Sequence, residues 1–182
     1  MLDFDQLTPY LHTALLQNIA SSHSFHTASS RNASNGKILD LDEELMNRLK
    51  KLPWTDLSFL EIAEHLKSRK FTSTRIQRGL LHLILSLKEA DFMNQFQTNP
   101  APYVKILGFR KQSSPLLKAI KANSSIPVIT KAANAKRSLP VSASWAFQMD
   151  VQARLLYQSM VFQKSGHRLP GVFSCSPVII DA

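Results

Sequence analysis

Residues 70–87 read KFTSTRIQRGLLHLILSL, a basic, hydroxyl-rich turn running into a strongly apolar helix. At ~100° per residue, Arg75, Arg78, Gly79, His82 and Ser86 fall in one narrow sector, while Ile76, Leu80, Leu83, Ile84 and Leu87 cover the opposite side. One side packs; the other is positively charged. Thr72 or Ser73 supplies a hydroxyl for the first free backbone N–H groups, which predicts a helix from about Thr74. A helix N-terminus beside two arginines suits an anion such as phosphate. The same pattern also describes an ordinary solvated face. Glycine inside a helix costs about 1 kcal/mol relative to alanine, so Gly79 implies close approach to the backbone, by a ligand or by a neighbouring helix. His82 shares this sector, where it can contact phosphate or a base, although helix packing explains a histidine there somewhat better.

The chain has 182 residues, 44% hydrophobic and 19% charged, which is ordinary for a globular protein able to bury a core. Its charge is less ordinary, with 22 Lys and Arg against 13 Asp and Glu, a formal +9. The excess is local: no acid occurs between Asp91 and Asp150, while Lys105, Arg110, Lys111, Lys118, Lys121, Lys131, Lys136 and Arg137 do. Such a segment seeks acids from elsewhere, solvent, or a polyanion such as RNA. These charges are too dispersed to line an amphipathic membrane helix. No apolar run is long enough to span a bilayer. Cys175 is the single cysteine, so neither an intrachain disulfide nor a multi-cysteine zinc site can form, which favours a cytoplasmic setting.

Along the chain, Thr8-Pro9 starts a helix that ends near Ala20, and Ser21–Lys37 reads as a Ser- and Asn-rich loop. Asp40 with Glu43 predicts a capping box for a helix through about Leu52, before Pro53. A third helix is predicted from about Asp56 to Ser68, and the helix of the opening stretch continues to about Gln97. After Pro100 and Pro102 the composition changes. Tyr103–Phe109 is a predicted strand, Ser113 or Ser114 with Pro115 starts a helix to about Ala122, and Pro127–Thr130 is a second strand in parallel reach. Lys131–Leu139 follows as a basic linker, Trp145–Phe162 as a long amphipathic helix striped by Met149, Ala153, Leu156, Tyr157 and Met160, and Pro177–Ile180 as a last strand. The predicted fold class is α+β, predominantly helical: a helical subdomain over 1–99, then a basic mixed α/β subdomain over 100–182 packed on it.

Catalytic motifs are scarce. The five glycines build no phosphate loop or dinucleotide fingerprint, His23 and His26 lack nearby acids or cysteines for a metal, and no base is spaced to activate Cys175. Asp150 is read as a helix cap or as a partner of Arg154, four residues on.

The order of segments carries more. TPYLHTALL (8–16), ILDLDEELMNRLKK (38–51), LKSRKFTSTRIQRGLLHLILSL (66–87), PYVKILGFRKQSSPLLKAIK (102–121), IPVITK (126–131), MDVQARLLY (149–157) and SPVII (176–180) together resemble the C-terminal half of bacterial tRNA(Met) cytidine acetate ligases, of the HIGH-type nucleotidyltransferases. The resemblance implies a complete enzyme that forms acetyl-adenylate from ATP and acetate and then acetylates the wobble cytidine of elongator tRNA-Met. It places that chemistry in an N-terminal nucleotidyltransferase domain with an HxGH motif, which this chain lacks; HSFH at 23–26 has no glycine to substitute. The chain is therefore expected to be non-catalytic alone, to hold no cofactor of its own, and to have tRNA and the missing domain as partners. Lys70, Arg75, Arg78 and His82 would hold RNA beside Arg110, Lys111, Lys118, Lys121, Lys131, Lys136 and Arg137. In a variant of this reading Arg75 and Arg78 complete an ATP pocket. The alternative is a helical interaction module whose basic face docks an acidic protein.

Overall fold

The computed structural model describes residues 3–23 and 36–181; most of the predicted Ser21–Lys37 loop, with His26, lies outside them. The chain divides into two compact units, residues 1–94 with 163–166 and residues 95–162 with 167–182.

The first unit is helical: α1 (Thr8–His23), α2 (Glu43–Lys51), α3 (Phe59–Leu66) and α4 (Ser73–Ile84). α1 continues three residues beyond its expected end, taking in Ser21–His23. Leu11, Leu15, Leu45, Leu49, Phe59, Ile62, Leu66, Phe71, Ile76 and Leu80 are all fully buried; fully burying each such side chain contributes about 1.5–3 kcal/mol relative to leaving it exposed. α2 is capped by Asp42, whose Oδ1 accepts from the Leu45 N–H at 2.9 Å, and not by Asp40 as the sequence pattern suggests.

α3 is shorter than its predicted Asp56–Ser68, because Trp54–Asp56 forms a separate 3-10 turn. Ser58 and Glu61 form its capping box. Two further N–H groups of the first turn are satisfied from α1 and the turn before it: Phe59 N–H donates to Thr8 Oγ1 at 2.9 Å and Leu60 N–H to Asp5 Oδ1 at 3.0 Å. A helix end has four free donors, so these long-range caps set the register of α3 against the N-terminal segment.

α4 begins as expected, with Thr72 Oγ1 accepting from the Arg75 N–H. It does not run to Gln97. Leu87 N–H donates to His82 O at 2.8 Å and Ser86 N–H to Leu83 O at 3.0 Å, the paired bonds of a Schellman stop. Ser86 takes φ 52° to make it. A new helix, α5 (Glu89–Thr98), follows and leads into the second unit. The stop coincides with docking of the segment before α2: Ile38 bridges Lys88, Leu39 N–H donates to Leu87 O, and Glu89 N–H donates to Lys37 O. Helical periodicity carries no trace of this, because the competing partner lies some fifty residues away in sequence.

The second unit holds β1 (Val104–Lys105), β2 (Gly108–Arg110), α6 (Ser114–Asn123), β3 (Val128–Ile129), the single turn α7 (Ala135–Ser138), α8 (Ser144–Ser165, whose last residues belong to the first unit) and β4 (Val178–Ile180). The predicted Tyr103–Phe109 strand changes partner midway. β1 pairs parallel with β3, Val104 opposite Val128, and β2 pairs parallel with β4, Phe109 opposite Ile179. Ile106 N–H donates to Ile129 O and Leu107 O accepts from Val178 N–H; successive residues of an extended chain direct these groups to opposite edges. Lys131–Leu139 is not a linker either, since it forms a 3-10 turn and α7 with Ala132 and Ala135 buried. Of the expected α8 stripe, Met160 is buried and Met149 and Leu156 half-buried, while Ala153 and Tyr157 face solvent.

Two substitutions test the α4 environment. Ser86→Gly removes the left-handed penalty of a side chain at the stop and should stabilise the first unit by about 0.5–1 kcal/mol after the glycine's greater unfolded entropy is counted; a lowered urea midpoint would refute this. A Cβ at Gly79 would lie 2.7 Å from Leu41 Cδ2 and 3.3 Å from Asp40 O. Leu41 is itself buried, so Gly79→Ala should lose about 1–3 kcal/mol to overpacking against about 1 kcal/mol gained in helix propensity. The expected net result is destabilisation; a higher midpoint would contradict it.

Candidate nucleic-acid interface

The charged sector of α4 is occupied by the chain's own acids. Asp40, at φ 63°, places its carboxylate against Arg78, whose Nε donates to Oδ2 at 2.6 Å and Nη2 to Oδ1 at 3.0 Å. This fork lowers the Asp40 pKa from its ordinary 3.8 and raises that of Arg78. His82 Nδ1 lies 3.1 Å from Leu39 O and 3.2 Å from Asp40 Oδ2. Both are acceptors, so Nδ1 carries the proton. Helix packing, not an exposed ligand contact, describes His82. Gly79 admits Leu41, which accounts for the glycine without a ligand.

Lys70 and Arg75 are also engaged. Arg75 Nη2 donates to Asp42 Oδ2 at 3.4 Å, and Lys70 Nζ to Glu44 Oε2 at 2.5 Å, an interaction that holds the Glu44 carboxyl below its usual range. Lys70, Arg75 and Arg48 stand over the Phe71 ring at 5.1, 5.2 and 5.6 Å from its centroid, within cation–π range. Phe71 is fully buried beneath them. The sequence reading missed Asp40, Asp42, Glu44 and Phe71 as partners of this face. A signal was present in LDLDEE (39–44), an acid cluster to match RKFTSTRIQR (69–78).

The other predicted cations lie in the second unit. Arg110, Lys111, Lys118, Lys121, Lys131, Lys136 and Arg137 are all exposed. Lys111 makes a long, solvent-exposed pair with Asp181 at 3.6 Å; Lys121 donates to Thr130 Oγ1 at 3.3 Å and Arg137 to Asn134 Oδ1 at 3.3 Å. Neither of those two acceptors neutralises charge. Lys105 differs, being half-buried and bonded to Asp150 Oδ2 at 2.7 Å. Asp150 also accepts from Tyr103 Oη at 3.2 Å, so it ties β1 to α8 and is not a partner of Arg154. Burial first, and the Asp150 charge second, push the Tyr103 hydroxyl up to about 12.

The two units therefore differ electrostatically. The first holds twelve Lys and Arg against eleven Asp and Glu; the second holds ten against Asp150 and Asp181 alone. Nearly the whole positive excess belongs to the second unit.

Other chemistry is sparse among the described residues. No group of three His, Cys, Asp or Glu is placed to hold a metal, and no helix is long and apolar enough to cross a membrane. Cys175 Sγ lies 3.4 Å from Gly171 O and 3.7 Å from Pro170 O, a local turn contact.

The arrangement is that of an α+β, mainly helical protein whose net positive charge is concentrated in one of two units. Comparison with known proteins specifies it further: the chain belongs to the HIGH Nucleotidyl Transferase family, whose model matches residues 4–169. The tRNA(Met) cytidine acetate ligase of Clostridium kluyveri is 31% identical over 146 residues, covering 78% of this chain and 32% of that protein. That of Halothermothrix orenii is 42% identical over 69 residues, 38% of this chain and 16% of the relative. The chain thus spans about a third or less of the length of these relatives. A crystal structure of Thermotoga maritima TmcAL bound with alpha-thio ATP superposes with a TM-score of 0.79 at 20% identity, covering 100% of this chain and 42% of that one. An apo form of the same protein gives 0.69 at 22%, covering 92% and 41%. These two likenesses establish the shared fold.

The family match corrects one expectation. The nucleotidyl transferase description falls on residues 4–169 of this chain, so the chain is not set apart from that family as a C-terminal region whose nucleotidyltransferase part is missing. The expectation ties the nucleotidyltransferase part to a domain bearing the HxGH string, whereas the match extends over helices and strands that carry no such motif.

The Asp40 contact makes an acid-limb prediction. A carboxyl whose folded pKa is depressed contributes stability above its unfolded value and loses it as pH falls through the folded value. Asparagine tolerates the left-handed conformation, so Asp40→Asn should lower the neutral-pH urea midpoint and flatten its decline below about pH 4. An unchanged acid limb would show that Asp40 is not held by Arg78 in solution.

Proposed function

We propose that this chain serves ATP-dependent ligation of acetate to a cytidine of tRNA(Met), the activity for which its relatives are named, and that its second unit binds the tRNA. The carrying observation is the charge partition, ten Lys and Arg against two Asp in one compact unit. RNA phosphates are the polyanion that such a surface attracts, by release of condensed counter-ions. Arg110, Lys111, Lys118, Lys121, Lys131, Lys136 and Arg137 are the proposed phosphate contacts. Lys70, Arg75, Arg78 and His82 are assigned to the fold of the first unit, because binding a phosphate there would first require displacing Asp40, Asp42 or Glu44.

Salt dependence tests this. The chain should bind tRNA at low ionic strength, and log K should fall linearly with log salt. Replacing Lys118, Lys121 and Lys131 together by Gln should reduce the slope by about 2–3 and weaken binding at least tenfold, while Arg78→Gln should cost stability and leave the slope unchanged. No tRNA affinity at low salt, or a slope that responds to Arg78→Gln and not to the lysines, would overturn the assignment.

A further inference from the structure

The two acids of the second unit stand among ten cations, and their settings differ. Asp181 has a side chain 81% exposed and makes only the long pair with Lys111. Asp150 has a side chain 40% exposed and is held firmly: Tyr103 Oη donates to it at 3.2 Å and Lys105 Nζ at 2.7 Å, both on the same oxygen, Oδ2. Among the described residues Oδ1 receives no hydrogen bond. The Tyr103 ring packs edge-on to Phe147, with centroids 6.0 Å apart. Tying β1 to α8 therefore occupies one oxygen and leaves the other as an accessible, directed acceptor. An acceptor held in place beforehand loses little freedom when a ligand arrives.

We infer that Asp150 reads a base: its Oδ1 accepts a hydrogen bond from the exocyclic amino group of an unpaired cytosine in the bound RNA. A carboxylate repels phosphate, so an acid held within the most basic part of the chain suits a neutral base edge and not the backbone. Lys105 balances its charge, which lets a polyanion approach. The amino group of cytosine is a donor that a carboxylate accepts, whereas uracil, the same ring, carries a carbonyl oxygen at that position. Among amino-bearing bases, cytosine is the one that the proposed ligation supplies. Arg154 lies one turn further along α8 on the same side. Its Cζ stands 5.5 Å from the Tyr157 centroid, and among the described residues it makes no ion pair, so it offers a neighbouring phosphate an anchor. The exposed lysines hold any RNA chain; Asp150 adds a preference among bases, which they cannot.

The inference rests on the tRNA-binding reading of the second unit, and its test separates the two. Fluorescence anisotropy with the full 182-residue chain, at one salt concentration, compares labelled oligocytidylate and oligouridylate strands of about 12 nucleotides. Their phosphates are identical, so the lysines contribute equally to both. Oligocytidylate should bind about tenfold more tightly, and a strand of N4,N4-dimethylcytidine, whose amino group has no hydrogen to donate, should bind no better than oligouridylate. Asp150→Asn gives a second readout. Its amide oxygen must take the Oδ2 position to accept from Tyr103 and Lys105, which puts an N–H donor where Oδ1 stood. The variant should bind the two strands alike or favour uridine, and circular dichroism checks that it folds. Where it does not fold, the comparisons on the parent chain decide. A parent that binds all of these strands equally, or a folded Asp150→Asn that keeps the cytidine preference, would overturn the base-reading role while leaving the electrostatic reading standing. A parent that binds no RNA overturns both.

Discussion

The docking of Ile38–Asp42 on α4 is the constraint on which the first unit depends. It joins apolar and charged chemistry in five residues: Ile38 and Leu41 are buried, Leu41 occupies the space that a side chain at position 79 would take, and Asp40 binds Arg78 and His82. The same segment ends α4, through its bridge at Lys88 and the Leu39 bond to Leu87 O, and begins α2, through the Asp42 cap. Two residues outside glycine's usual monopoly, Asp40 and Ser86, adopt left-handed backbone to allow it. Such a conformation is unfavourable by about 1–2 kcal/mol for an ordinary residue. It persists because the surrounding bonds over-determine it, and at Asp40 the carboxylate fork to Arg78 is one of them.

The docked segment also explains why an amphipathic helix can mislead. Periodicity correctly separated Ile76, Leu80 and Leu83 from Arg75, Arg78 and His82, since it reports which side chains can share a face. It is silent on what covers the polar face. Here Gly79 and Leu80 are both buried though they lie on different sides of α4, so the helix is covered by α1 and α3 on one side and by Ile38–Asp42 on the other. Surface ion pairs contribute little individually. Their value in this place is positional, since Asp40, Asp42 and Glu44 meet Arg78, Arg75 and Lys70 in order along the two segments.

Much of the architecture was legible in sequence where local rules govern: the Thr72 cap, the Pro115 helix start, the parallel reach from Val104 to Val128 and the last strand at Val178–Ile180. What escaped was set by distant partners. The single expected strand divides because Ile129 claims one of its edges and Val178 the other; the expected linker folds because Ala132 and Ala135 are small enough to be buried. The charge reading escaped in a similar way. Net charge was correctly traced to the stretch between Asp91 and Asp150, yet the arginines of α4, outside that stretch, were added to the same surface because sequence distance hid their acids.

That distinction decides how the cations should be weighed. A guanidinium already bound by a carboxylate fork offers a phosphate only the difference between two similar interactions, and the displaced Asp40 would stand beside the incoming anion. Apart from Lys111, which pairs with Asp181, the exposed lysines of the second unit make no ion pair with a protein acid, so a phosphate bound there would replace solvent and release counter-ions without displacing a carboxylate. The same reasoning extends to Arg154 and Arg168, whose guanidinium groups lie on aromatic rings and not on carboxylates. A cation–aromatic contact leaves the positive charge uncancelled, so these arginines keep their full attraction for a polyanion while their rings hold them in place. The first unit pairs Lys70, Arg75 and Arg78 with its own acids, whereas the second holds ten cations against two acids.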